Sequence, residues 1–323
     1  MQPGLSTHVF FQHRLHPCLL DALHAAGART GASSMTIEVF AARHHFDYTD
    51  APAVRELAAW FRSNDVRAVL HQPIYLSHRG RAFSDSDGAQ WSPHVATNLN
   101  IINPEKLRRI EAVDEVKRAI ETAEQVPFSA VVLHLGLKDS PWDEPAIENS
   151  LTAIEHLKAF AAPLGVQLLL ENLQNDITTP DHLLYILKAG HFNTVGVCLD
   201  LGHLHLAMPA TNPPRDSGVA AAIEALGSRI AQVHVHDNHG LFAPHASVPA
   251  SFSSVSDMKD EHLWPGAGTI DWPAVTASLA ALPAATPGIL EIVSDRDETP
   301  EQVTRKGEQT FRMFSEMAAA PNM

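Results

Sequence analysis

Along the chain, short runs of aliphatic and β-branched residues alternate with longer stretches whose apolar positions recur at helical spacing. The runs at 7–12, 35–41, 68–72, 130–136, 167–171, 194–200, 230–236 and 288–292 are expected to be strands. The helical patterns fall at 17–26, 51–63, 104–123, 144–161, 180–189, 218–226, 272–282 and 300–317. Thr179-Pro180 and Thr299-Pro300 each place a hydroxyl N-cap before a proline suited to the first helical position. Strands that alternate with helices imply a parallel sheet joined by helical crossovers. Eight such units predict an α/β fold of one closed (β/α)₈ barrel, a single domain over residues 1–323. Two connections exceed the usual length, 74–103 after the third strand and 238–259 after the seventh. Both carry Gly, Ser and Pro with isolated aromatics, among them Tyr75, Phe83 and Trp91, and both are expected to cover a substrate.

The polar residues that interrupt this pattern sit at or just beyond strand ends. They are His71 in VLHQ, His134 in VVLHLG, Glu171 in LLLEN, Asp200 and His203 in VCLDLGH, His234 in VHVHDN, Asp260 and His262 in DEHLWPGAG, and Glu291 in ILEI. In a barrel the C-terminal strand ends converge, so these side chains are expected to meet. A carboxylate ending a buried strand is costly unless paired, and two inward carboxylates repel unless a cation lies between them. Glu171 and Glu291 pose that problem, and a divalent metal solves it. His234 and His236 alternate with Val233 and Val235, so both imidazoles should face one side of the strand. For His236 a role beside the ligands and an inert packing role are equally open; His205 and His239 are expected to be bystanders. Imidazole and carboxylate donors without thiolate suit Zn²⁺, and Mn²⁺ or iron also satisfy the set.

Composition narrows the partners. The hydrophobic fraction of 45% and charged fraction of 19% are ordinary for a globular chain. No apolar run approaches the ~18 residues that cross a bilayer, so no membrane partner is expected. The N-terminus lacks a basic segment followed by a long apolar one, and a cytoplasmic location is the expectation. Two cysteines, Cys18 and Cys198, give no disulfide framework, and both are expected to pack in or near the core. The formal charge of -14 argues against a broad nucleic-acid-coating surface but not against a local phosphate cleft whose charge comes from bound cations.

The ligand set resembles that of the xylose isomerase-like TIM barrels, which include sugar isomerases, epimerases and endonuclease IV. Their Glu, Asp, His, Glu metal quartet is matched by Glu171, Asp200, His234 and Glu291. Endonuclease IV adds histidines after strands three and four, matched by His71 and His134, and an Asp-x-His before a glycine turn, matched by Asp260 and His262 ahead of Pro265–Gly268. With His203, all nine positions of its trinuclear zinc site have a counterpart, over about Val66 to Ser294. The resemblance implies two or three zinc ions, Glu171 and Glu291 as catalytic ligands, and hydrolysis of a phosphate ester. DNA is a substrate the resemblance allows, but the chain shows no basic, aromatic-interleaved segment to grip it. A small phosphorylated or sugar-like substrate is therefore expected. Arg14, Arg43 and Tyr75 are the candidate substrate-binding residues, with Arg79, Arg81, Lys138 and Arg296 as weaker ones. The alternative is a mononuclear sugar or sugar-phosphate isomerase or epimerase using the quartet alone, with the two glutamates exchanging a proton beside a carbonyl.

Overall fold

Eight parallel strands close into a barrel. They are β1 (Gln2–Ser6), β2 (Met35–Phe40), β3 (Val66–His71), β6 (Phe128–His134), β7 (Gln167–Glu171), β8 (Gly196–Asp200), β9 (Ile230–Val235) and β10 (Pro287–Leu290). β4 (Tyr75–Leu76) and β5 (Thr97–Asn98) pair antiparallel outside the barrel. The computed structural model describes residues 1–32, 34–76, 97–207, 217–240, 260–294 and 298–319. The helices are α1 (Pro17–Ala28), α2 (Ala51–Ser63), α3 (Lys106–Glu121), α4 (Glu144–Ala161), α5 (Pro180–Ala189), α6 (Leu201–Ala207), α7 (Ser217–Leu226), α8 (Trp272–Leu279) and α9 (Pro300–Ala319). No helix among the described residues is long and apolar enough to cross a membrane.

The helix starts follow local chemistry. Asp143, Thr179 and Asp271 each accept a hydrogen bond from the third residue on, namely Ala146, His182 and Ala274. Thr299 and Gln302 exchange backbone and side-chain hydrogen bonds, a capping box at the head of α9.

The first strand departs from the expected 7–12 run. Ser6 caps a 3₁₀ turn at Thr7–Phe10, accepting from the His8 N–H, and the strand lies before it. Its place is set by neighbours: Gly4 is in register with Thr36 on one side and Ile289 on the other. The Thr7 hydroxyl then accepts the Phe40 N–H, fastening the turn to the end of β2. Cys18 also departs from expectation, being exposed, whereas Cys198 is buried.

Two apolar layers make the core. Alternate strand residues such as Leu70, Val131, Leu133, Leu168, Leu170, Val197 and Leu199 pack outward beneath the helices. The intervening ones point inward, where Val69, Ala130, Val132, Leu169 and Cys198 form a second cluster inside the barrel. That alternation puts the next inward residue on each strand, two positions on, at the top of the barrel.

Candidate metal centre

The residues two positions beyond the inner apolar layer are polar. Val69 is followed by His71, Val132 by His134, Leu169 by Glu171 and Cys198 by Asp200, and Gln232 and Ile289 stand in the same relation to His234 and Glu291. Register makes them neighbours: His134 lies opposite Glu171, and Asp200 opposite His234. Asn172 ties β7 to β8 above this layer, accepting the Asp200 N–H at 2.7 Å and donating to the Asp200 carbonyl at 2.8 Å. His203 follows on α6, while Asp260 and His262 come from the segment before α8.

Four groups of donor atoms result among the described residues, each with its atoms within 4.8 Å of one another: His71, His134 and Glu171; Glu171, Asp200, His234 and Glu291; His203, Asp260 and His262, joined by His236; and His8 with His262 and Glu291. All nine expected residues are thus brought together. Glu171 belongs to two groups. Its Oε2 is 3.0 Å from His134 Nε2 and 3.5 Å from His71 Nε2, and its Oε1 is 3.3 Å from both His234 Nδ1 and His203 Nδ1. Glu291 Oε2 is 3.1 Å from His234 Nδ1, and Asp260 Oδ2 is 2.7 Å from His203 Nε2 and 3.1 Å from His262 Nε2.

The donor set fits divalent cations on its own chemistry. Glu171, Asp200 and Glu291 are buried, and among the described residues their ion pairs all go to histidines. Without a metal the imidazoles must supply the positive charge. Burial opposes charge on His203 and His234, yet the surrounding acids hold both well above the ordinary histidine value. Burial likewise opposes His262, but Asp260 overrides it and lifts the imidazole to about 9. For Glu171 and Glu291 the cost of burial is overcome, chiefly by His234, and both are held well below the usual carboxylate range. A cation would replace those protons.

The outer nitrogen of most imidazoles is already spoken for. Nδ1 of His71 donates to the Gln72 carbonyl (2.9 Å), Nδ1 of His203 to the Asn172 carbonyl (3.0 Å) and Nδ1 of His262 to the Glu291 carbonyl (2.9 Å). Each therefore presents Nε2 inward, the arrangement that orients histidine ligands. His234 is turned the other way, presenting Nδ1 to Glu171 and Glu291 while Nε2 points to Glu38 at 2.9 Å. His236 places Nε2 at 3.0 and 3.1 Å from the two Asp200 oxygens and stacks on His262 at 3.9 Å, so it holds ligand-type residues in place. His205 and His239 are occupied elsewhere, by Thr269 and Glu261.

A cavity of about 330 Å³ opens over the groups, lined by Tyr75, Asn98, Lys138, Gln174, His8 and Phe40 besides the donor residues. Tyr75 is thus at the site as expected. Arg14 and Arg43 do not line it. Arg14 is half exposed and bonds Asp50 at 2.7 Å, and Arg43 faces the buried Glu115 at 3.4 Å, a carboxylate it shares with Arg118, so each is drawn to an acid away from the cavity. Arg79, Arg81, Phe83, Trp91 and Arg296 lie outside the described residues. Two site residues escaped the sequence reading. His8 lies in the 3₁₀ turn where a strand was expected; its Nδ1 is buried without a hydrogen-bond partner among the described residues, 3.8 Å from the Glu291 carboxylate. Glu38, a lone acid in the apolar run MTIEVF, is wholly buried, and the cost of such burial was the signal that could have found it.

Comparison with known proteins agrees with this architecture. A probable endonuclease 4 from Haloquadratum walsbyi is 25% identical over 193 residues, 57% of this chain and 63% of that protein. The chain spans 54% to 63% of the length of the first curated relatives it matches. Among solved structures, the IOLI protein with a binding zinc atom superposes with a TM-score of 0.69 at 17% identity, over 99% of this chain and all of that one. A D-tagatose 3-epimerase-like protein gives 0.65 at 22% identity, over 98% of each chain. Residues 24–313 match the xylose isomerase-like TIM barrel family, to which this chain belongs.

Proposed function

We propose that the protein hydrolyses phosphate esters of small molecules with a multinuclear metal site of two or three zinc ions. The observation that carries this reading is the position of Glu171, whose two oxygens face different donor groups and suit a carboxylate bridging two cations. The likeness to a probable endonuclease 4 supports a phosphate ester as the substrate class. Mn²⁺ or iron would also satisfy these donors.

Bound here, divalent cations supply Lewis acidity toward a phosphoryl oxygen and activate water as the nucleophile. The chain's own residues do the rest. His71, His134 and Glu171 would hold one cation, Glu171, Asp200, His234 and Glu291 a second, and His203, Asp260 and His262 a third. Glu171 also orients the nucleophile. Tyr75, whose hydroxyl burial keeps protonated, and Lys138 both line the cavity wall and would donate to phosphate oxygens. Phe40, Leu99 and Leu137 exclude water from the same wall. Lys138 is the one lysine or arginine in the described lining, and the chain carries a charge of -14, which favours a small substrate over DNA.

A second reading, a sugar or sugar-phosphate isomerase or epimerase, draws on the fold shared with the D-tagatose 3-epimerase-like protein. It needs only Glu171, Asp200, His234 and Glu291, and leaves His71, His134, Asp260 and His262 without a role. Elemental analysis of the purified chain beside a His71→Ala/His262→Ala variant separates the two. Two to three zinc ions per chain, falling in the variant, support the hydrolase; one ion, unaffected by the substitutions, supports the isomerase.

A further inference from the structure

Glu38 sits in the middle of β2 and points into the barrel, one layer beneath the donor groups. It is 0% exposed. A bare carboxylate there is expensive, and water cannot reach it to offset the cost. Its Oε2 lies 2.9 Å from His234 Nε2 and accepts from the Gln232 amide at 2.7 Å, while Oε1 has no partner among the described residues. Among the described residues the ion pair of Glu38 goes to His234, so the imidazole is the group that accounts for its burial.

The tautomers in the donor set differ in one respect. His71, His203 and His262 each have Nδ1 fixed by a backbone carbonyl. A carbonyl follows from the chain path and cannot be altered by side-chain substitution. For His234 the fixing group is a side chain on a strand at the far wall of the barrel, 196 residues away in sequence. Gln232 Nε2 also approaches His234 Nε2, at 3.1 Å, but its N–H groups are directed to Glu38 Oε2 and to Cys198 Sγ at 3.7 Å. Glu38 Oε2 is thus a shared acceptor for two donors, Gln232 and the His234 Nε2–H.

We infer that Glu38 is the positioning residue for His234: it holds the proton on Nε2, turns Nδ1 toward Glu171, Asp200 and Glu291, and increases the basicity of that nitrogen toward a divalent cation. Gln232 keeps the Glu38 carboxylate aimed. This rests on metal binding at the four-residue group, which the hydrolase and isomerase readings share. Outer partners of this kind typically contribute about 10–100-fold to metal affinity.

The test is zinc affinity of the full chain, titrated in a zinc-buffered chelator series, for the wild type, Glu38→Gln and Glu38→Leu. The His234 tautomer in the zinc-loaded chain is read in parallel from imidazole ¹⁵N shifts. The expected result is a loss of about 10–100-fold in Glu38→Leu for the ion held by His234. Glu38→Gln, which retains an acceptor oxygen but not the charge, should recover most of it and keep the Nε2–H tautomer. The melting temperature of the metal-free Glu38→Leu chain should match or exceed that of the wild type, because an apolar side chain replaces a buried acid. Unchanged zinc affinity and tautomer in Glu38→Leu would overturn the inference and leave the metal site standing. A wild-type chain that binds no zinc, manganese or iron would remove both. If Glu38→Leu does not fold, Gln232→Leu gives the same decision: weaker zinc binding with the carboxylate released supports the inference, and wild-type affinity overturns it.

Discussion

The four-residue group of Glu171, Asp200, His234 and Glu291 and the three-residue group of His203, Asp260 and His262 offer similar donors on different supports. The first stands on or directly above barrel strands, and its side chains are almost wholly buried. Its geometry is inherited from strand register, so the barrel cannot close without assembling it. The second is carried mostly by a connecting segment; Asp260 is 27% exposed and His262 adopts a left-handed backbone with φ of 45°. A non-glycine residue rests there only when its surroundings impose it.

Asp237 does the imposing. Its backbone exchanges two hydrogen bonds with Leu263, and its carboxylate accepts from the N–H groups of Asn238, Gly266 and Ile270 and from the Trp272 indole. A Cβ at Gly268 would come within 2.4 Å of that carboxylate, so glycine is required where the segment passes over it. One group is therefore held by the sheet, the other largely by hydrogen bonds within and around a connecting segment, of which the Asp237 carboxylate accepts four.

The strongest way to break this comparison is Glu171→Gln, which removes charge from the carboxylate shared by two groups. Turnover should vanish and at least one zinc ion should be lost, while far-ultraviolet circular dichroism stays native. Retained turnover would sink the assignment of Glu171. Asp237→Ala strikes the other support. It strands the Trp272 indole and the backbone N–H groups of Asn238, Gly266 and Ile270, should cost about 3 kcal/mol in denaturant unfolding, and should cost the chain the ion on the three-residue group while the four-residue group still binds. Equal loss from both groups would show that they are not separately supported.

A smaller effect is expected from pH. In the metal-free chain His262, raised to about 9 by Asp260 against the opposing effect of burial, contributes stability that is complete below its unfolded value near 6.5. That contribution is lost as pH rises through about 9. Zinc competes with the same proton, so its affinity should increase over this interval. The rise in melting temperature on adding zinc should accordingly widen between pH 6.5 and 9, and a constant shift would count against His262 as a ligand. Smallest of all, Arg14→Ala removes a half-exposed pair with Asp50 outside both groups. It should change stability by no more than about 0.5 kcal/mol and leave zinc content and turnover alone; a large loss of substrate affinity would return Arg14 to the site.

Much of this molecule is legible along the chain because the relevant information is local. Strand and helix periods, hydroxyl caps before prolines, and an acid or imidazole ending an apolar run can all be read within a few residues. The barrel follows from them, as does the convergence of the acids and imidazoles at its strand ends; His203, Asp260 and His262, which end no strand, joined the expected set through the family resemblance. Helix capping at Thr179 and Thr299 was equally local and equally readable. What the sequence could not convey depends on groups far apart in it. β1 begins before the apolar run because pairing with β2 and β10 positions it there. Arg14 and Arg43 turn away because Asp50 and Glu115 meet them first. Which nitrogen each histidine presents, and the presence of Glu38 beneath His234, became visible only on closure of the barrel. Hydrogen bonds across its interior join strands that no sequence period connects, and burial makes each of those partners decisive.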